Sequence, residues 1–535
     1  MHSDKQTRIT WRIVTFFLGA ASLVWFLSRV IPKPSRAAYP CQRASAPLAS
    51  GFVIWLAGLF CAKALHWNAR RWASRSRAAW AVAALAAAIT LVWLPLVPAD
   101  EAAAQRGTAS TVPFKPSEGA NAPIGTGKGI HPGRVVWAHN PQATRWDGQT
   151  GNWWEEANTD QALVDQMMAA GIRDLAGAGT DRQGWEALFR DFNRARGGGS
   201  AGYRRGEKIA IKINSNQDRN PEWGKGARPL NGLPSPHAVY ALVSQLIEAG
   251  GVPGEDILIY EVAQGRNIGD PIVKKIRANP KPDYQAVKYV VNNDYGLGGR
   301  ILATPDKNNP IRFAEPSLKE AYLPQAVVDT KYMINMALFR PHGLAGVTLC
   351  AKNHFGSVYF PEAGGWTPRP MHNFIGRGSP LGSYNPLVEL IGHRHLGGKT
   401  MLYLIDGLYQ SEHNEGNVIR FASFGDGWAA SLFFSQDPVA IDSVALDFLA
   451  AEPRATNVTG NPDNYLHEAA LAGKPASGVK YDPEGDGTPL QSLGVHEHWN
   501  NPADKKYSRN LGKKEGIELL ALELGRRPQA AAGSK

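Results

Sequence analysis

A layered α/β domain built on a mixed, mostly parallel sheet is the fold class predicted for the chain beyond residue 130, and a three-helix transmembrane region is predicted before it. Three observations carry the α/β reading. Lys208 to Asn214 reads KIAIKIN, whose alternating apolar positions are those of a strand. HAVYALVSQLIEAGG follows Ser235 and Pro236, so a helix opens on an N-cap serine with proline in its first turn and closes on glycine. Asp256 to Glu261, DILIYE, is the next strand. Strand, helix and strand at this spacing make a βαβ unit, with a right-handed crossover between parallel strands. Further strands are predicted at Ala286 to Val291, Tyr332 to Leu338, Thr400 to Ile405 and Ser431 to Phe434, and helices at Pro386 to His395 and Pro438 to Ala451. No repeat at a solenoid or propeller period is apparent.

The 535 residues are 43% hydrophobic and 20% charged, which supports a large core and more than one structural unit. The net charge of +11 is confined to one stretch. Residues 1–98 hold twelve Lys and Arg against a single acid, Asp4, so the remainder carries 46 bases and 46 acids and is neutral. A neutral domain lacks the basic footprint that tracks phosphates, which argues against a nucleic-acid partner.

The basic stretch also contains three apolar runs, roughly Ile13 to Val30, Gly51 to Leu65 and Ala78 to Val97. Each is near the ~17 to 25 residues of a membrane span, the second being short. With a cytoplasmic N-terminus, the inside segments (Lys5, Arg8, Arg12, then Arg70, Arg71, Arg75, Arg77) carry seven bases and the outside loop (Lys33, Arg36, Arg43) carries three. The positive-inside rule then places the rest of the chain outside the cytoplasm, as a periplasmic domain of a bacterial inner-membrane protein whose first partner is the lipid bilayer. A cleaved signal peptide is the alternative, but one such peptide does not explain three runs. The expected organisation is a membrane region over 1–98, a linker over 99–130, an α/β domain over 131–455 and a C-terminal extension over 456–535 packed on it. Of three cysteines, Cys41, Cys61 and Cys350, one lies in the exported part, so neither an internal disulfide nor an iron-sulfur cluster held by four thiolates is expected.

Open α/β sheets place their sites outside the carboxyl ends of the strands. Asn214, Glu261 and Asp406 fall at such ends, and the Ser215 to Leu233 connection is long enough to be functional. Asp442 shares a helical stripe with Val439, Leu446 and Leu449, so it is a core carboxylate in need of a metal, a base or hydrogen-bond donors. Leu344 to Lys352 is predicted as two helical turns ended by Asn353, grouping Lys352, Asn353 and His354 at one terminus with His342 before its start. Lys212 projects from the polar face of its strand. The roles assigned are Asp406, Asp442 and Lys352 as catalytic groups, Lys212, Asn214, Asn353 and His342 as contacts to an anionic substrate, and Asp406, Asp442 and His354 as ligands of a possible divalent metal. The rival reading of these residues is a buried hydrogen-bond network that only stabilises the fold. His393 with His395 and His496 with His498 have strand-like ligand spacing, yet two ligands do not make a site. No GxSxG elbow, P-loop or HExxH motif occurs.

KIAIKINSN, SPHAVYALVSQLIEAGG, MINMALFRPHGLAGVTLCAKNHFGS, LYLIDGLY and SQDPVAIDSVALDFL together resemble the DUF362 family, a domain of unknown function, over roughly residues 131 to 455. Some members of that family are joined to a ferredoxin-like iron-sulfur module, and the present chain lacks the cysteines for one. The resemblance supplies no reaction. Two functions compete: a membrane-anchored periplasmic enzyme, metal-dependent and acting on an anionic substrate, and a noncatalytic cell-envelope protein that recognises a glycan, polysaccharide or assembly partner through its tryptophans. A clustered carboxylate, lysine and histidine pocket favours the first, and an exposed aromatic track the second.

Overall fold

The computed structural model describes residues 112–215, 218, 223, 232–263, 268–293 and 299–525, together with Trp25. The chain divides into two units, Met1–Gly107 and Thr108–Lys535. The three apolar runs fall in the first unit and lie outside the described residues apart from Trp25; among the described residues no helix is long and apolar enough to cross a membrane. The account below concerns the second unit.

Nine strands form its central sheet: β1 (Arg134–His139), β2 (Ile209–Ile213), β3 (Ile257–Glu261), β4 (Lys288–Val291), β5 (Arg300–Leu302), β6 (Tyr332–Leu338), β7 (Thr400–Gly407), β8 (Ser431–Ser435) and β9 (Glu518–Glu523). Their spatial order is β9-β1-β8-β7-β6-β2-β3-β4-β5. Only β8 runs against the others, pairing antiparallel with β7 and β1, so the predicted mixed, mostly parallel sheet is observed. Residues 456–535 do more than pack on the domain: β9 pairs in parallel with β1 and closes one sheet edge. Part of the expected linker is also built in, since Ile124–Gly125 pairs with Val495–His496.

Both faces of the sheet are covered. Ile209, Ile211, Ile257 and Ile259 face one layer, while Ala210, Leu258 and Tyr260 face the other, following the two-residue alternation of a strand. The first layer contains α1 (Gln161–Ala176), α2 (Asp181–Ala195), α3 (Pro236–Ser244) and α4 (Asp270–Arg277), with buried Leu, Val and Ile side chains packed together in one cluster. The second contains the short α5 (Cys350–Asn353), α6 (Pro386–Gly392), α7 (Pro438–Ala450) and α8 (Asn464–Ala470). The predicted caps hold. Ser235 accepts from the Ala238 amide, and Asp437 accepts from Val439 and Ala440 ahead of the Pro438 start of α7.

Two local expectations fail for physical reasons. Leu344 to Lys352 is not a two-turn helix, because Arg340–His342 and Gly346–Thr348 pair as an antiparallel hairpin and leave only Cys350–Asn353 helical. Gly346 sits at a φ of +84°, which ends any helix there, and β-branched Val347 and Thr348 favour the strand. Ala286 belongs to the short helix Pro282–Ala286, so β4 begins two residues later than predicted. The nine tryptophans beyond residue 130 are all buried, so they form core and not an exposed aromatic track.

Candidate functional site

The carboxyl edge of the parallel strands gathers most of the residues singled out by sequence. Lys212, the penultimate residue of β2, is wholly buried, because both faces of its strand are covered. Its ammonium lies 3.1 Å from Glu261 Oε2 and donates to Asn353 Oδ1 at 3.2 Å and to the Ile213 carbonyl at 2.6 Å. Asn353 returns its amide to the carbonyls of Lys212 and Met336 and to Asn335 Oδ1. Glu261 is held by the Ser215 and Ala263 amides. Gly356 closes over this pair: a Cβ there would stand 2.3 Å from Glu261 Oε1 and 2.7 Å from Lys212 Nζ, so the backbone approaches only because no side chain intervenes. Burial pulls the Lys212 pKa down, and the Glu261 carboxylate opposes that pull.

Beside this pair the hairpin presents Arg340, 1% exposed, and His342, 8% exposed. Arg340 donates to the Gly232 carbonyl at 2.7 Å and to Asn214 Oδ1 at 3.3 Å, which ties the ends of two strands together. His342 Nδ1 accepts two backbone amides, from Leu344 and Ala345, so its neutral ring carries the proton on Nε2. Burial pushes its pKa well below the ordinary value, and the charges of Lys352 and Arg340 reinforce this. Lys352 is nearly buried and lies 3.6 Å from the centre of the Phe355 ring. Asp218, in the long connection after β2, was not singled out by sequence. It is wholly buried, and burial pushes its pKa up to about 8 against the opposing pull of the Trp223 side chain and the Gly269 amide.

The two carboxylates expected to share a metal do not converge. Asp406 follows the alternation of Leu402 and Leu404 toward the α3 layer and accepts the Ser235 and Leu408 amides. Asp442 lies in α7, in the opposite layer, and accepts the Cys350 and Ala351 amides and the Tyr465 hydroxyl. Both oxygens of each already accept hydrogen bonds, and burial raises both pKa values to about 6. His354 is also apart from Asp406: its Nε2 lies 3.0 Å from Asn335 Nδ2, an amide donor, which makes Nε2 the bare nitrogen. Burial, then the Lys212 charge, lowers the His354 pKa to about 3. A base whose folded pKa lies below its unfolded value of 6.5 contributes stability above pH 6.5 that is lost as pH falls toward 3. Denaturation midpoints of wild type and His354→Gln should therefore diverge in that window by about 1.4 kcal/mol per pH unit; parallel curves would show that the imidazole is not held neutral.

A different group has metal-ligand geometry. One atom each from Glu118, Asp463, His467 and His496 lie within 4.8 Å of one another, the only such group among the described residues. His467 Nε2 is 2.9 Å from Glu118 Oε2 and 3.5 Å from Asp463 Oδ2, and His498 Nε2 is 3.6 Å from the same Asp463 oxygen. This buried His, Asp and Glu group could hold a metal. The signal legible in sequence was the His496 and His498 spacing; Asp463 and His467, four apart at the start of α8, and the distant Glu118 were missed. Neither His393 nor His395 belongs to such a group: His393 Nδ1 accepts the His395 amide, and His395 Nε2 faces Asn309.

Residues 209–447 match the family described as Domain of unknown function (DUF362), which is what that stretch of the chain is similar to. The strand-edge cluster lies inside the matched residues and the four members of the metal-type group lie outside them. No curated protein and no solved structure matches the chain.

Proposed function

We propose that the protein is a membrane-anchored extracytoplasmic enzyme that acts on an anionic small molecule bound at the carboxyl edge of its parallel sheet. The observation that carries this reading is the pair of cations, Arg340 and Lys352, buried or nearly so beside His342 at the carboxyl edge of the sheet. Arg340 and Lys352 neutralise substrate oxygens in water-poor surroundings, where a charge-assisted hydrogen bond is strong. His342, neutral with its proton on Nε2, is an uncharged donor to a developing oxyanion. Asp218, held as the acid at neutral pH by burial, is the group suited to deliver a proton. The anchorage rests on the three apolar runs and the seven-to-three basic asymmetry of residues 1–98. Burial of all nine exported tryptophans removes the feature that would have favoured a noncatalytic aromatic track.

Calorimetric titration of the full-length protein in detergent with inorganic pyrophosphate and with citrate tests the reading. At least one should bind saturably, weaken as salt is raised, and lose about tenfold in affinity in Lys352→Ala, consistent with one charge-assisted contact. Binding of neither probe, or binding that Lys352→Ala leaves unchanged, would overturn it.

A further inference from the structure

We infer that Glu118, Asp463, His467 and His496, with His498 beside them, form a closed transition-metal centre that fastens residues 112–126 and the C-terminal extension to the DUF362 core. Their ligand atoms are buried and, apart from one another, meet no hydrogen-bond partner: Glu118 Oε2, both oxygens of Asp463, and Nε2 of each of the three histidines. Buried polar atoms are normally satisfied, and here the donor atoms are turned toward one another with no other partner, the arrangement a shared cation would complete. The separations of 2.9, 3.5 and 3.6 Å fall in the ~2.8 to 4.4 Å expected between neighbouring donors bound at about 2.0 to 2.2 Å to one ion.

The neighbouring hydrogen bonds prepare two of the imidazoles for this role. Ser443 donates its hydroxyl to the Val439 carbonyl, so toward His496 Nδ1, 2.8 Å away, it is an acceptor. The His496 proton is thereby fixed on Nδ1 and the Nε2 lone pair faces the group. His498 Nδ1 donates to Asp447 Oδ1 at 2.6 Å, and Asp447 Oδ2 is held by the Trp499 amide and the Tyr507 hydroxyl. A carboxylate behind a histidine whose other nitrogen is free is the arrangement that orients metal-bound imidazoles. Glu118 and Asp463 bring two negative charges into a site whose ion pairs, among the described residues, involve histidine and neither Lys nor Arg, so a divalent cation restores neutrality. Imidazole and carboxylate donors without thiolate suit zinc, manganese, iron(II), cobalt or nickel.

The connectivity supplies the fastening. Glu118 lies on the segment that follows the N-terminal unit, Asp463 just before α8 and His467 on it, and His496 and His498 on the extension, while Ser443 and Asp447 behind them belong to α7 of the matched domain. Around the group, the Phe114 amide donates to Val458, the Asn121 amide to His498, and Ile124–Gly125 pairs with Val495–His496. Asp463 and His496 are fully buried and Glu118 is about a quarter exposed, which makes the site closed apart from the side where Glu118 covers it. This centre is independent of the anion-binding reading, because it uses none of the residues of the strand edge.

The test is metal analysis of the full-length protein in detergent, then removal by chelator and titration with Zn2+ and Co2+. A stoichiometric divalent ion is expected, Co2+ should give a ligand-field spectrum, and chelation should expose residues 112–126 to protease. His496→Ala should abolish binding; Glu118→Gln, at the rim, should fold and weaken Zn2+ about tenfold or more, as loss of one ligand or of its support does. His395→Ala should change nothing. Absence of saturable Zn2+ and Co2+ binding to the wild type would overturn the centre, and bound metal whose removal leaves cleavage at 112–126 unchanged would overturn its fastening role. Pyrophosphate or citrate binding is measured on the same samples, so the two sites fail or stand separately.

Discussion

Glu261→Gln is expected to destabilise the domain by about 3 to 5 kcal/mol, because it leaves the Lys212 ammonium buried without its counter-charge. Both side chains are almost completely shielded, at 0% and 2% exposure, so water does not rescue the stranded cation. The carboxylate also accepts the Ser215 and Ala263 amides, and a glutamine offers only one oxygen where two are used. Gly356→Ala should reproduce much of the loss by a different route, since its methyl would press on Glu261 Oε1 and Lys212 Nζ. The double replacement Lys212→Met with Glu261→Leu should recover most of the stability, as buried pairs replaced by apolar groups commonly do. Denaturant midpoints of the three variants decide it: a Glu261→Gln loss under about 1 kcal/mol would mean that the pair is solvated or that Lys212 sheds its proton freely.

The framework that holds this pair was legible because its strands are short apolar runs and its helices begin with caps whose chemistry is local. KIAIKIN, DILIYE and TMLYLID each appear as strands, and Ser235 and Asp437 each cap the helix they precede. The face of Lys212 was not legible. An alternating strand implies one wet face, but a strand in the middle of a sheet covered on both sides has none, so a lysine there is buried and needs a partner 49 residues away. The hairpin at 340–348 was hidden for a related reason, since its pairing is set by the turn at Gly343 to Ala345 and the positive φ of Gly346 after it, not by periodicity. The metal-type group is the least local feature. His496 and His498 are two apart and Asp463 and His467 four apart, spacings that occur often by chance, and nothing in either pair points to Glu118, which only the chain's course around the extension brings to them.

Asp442 separates a structural carboxylate from a chemical one, and Asp442→Asn measured at pH 8 should cost about 2 to 4 kcal/mol, the scale of two hydrogen bonds to a charged acceptor. At that pH the carboxyl, raised by burial to about 6, is ionised. Its two oxygens take the first free amides of α5, Cys350 at 2.8 Å and Ala351 at 2.9 Å, where the N-cap residue Leu349 has no side chain to do so. The aspartate thus acts as a cap delivered from another helix, and the negative charge suits the amino end of the turn. An asparagine must turn an N–H toward one of those amides. Because α5 carries Lys352 and Asn353, loosening it should also weaken pyrophosphate or citrate binding, whereas divalent metal per folded molecule should stay at the wild-type ratio. Loss of metal together with unchanged stability would reverse the assignment and make Asp442 a ligand; loss of stability with metal retained is the outcome its hydrogen bonds require.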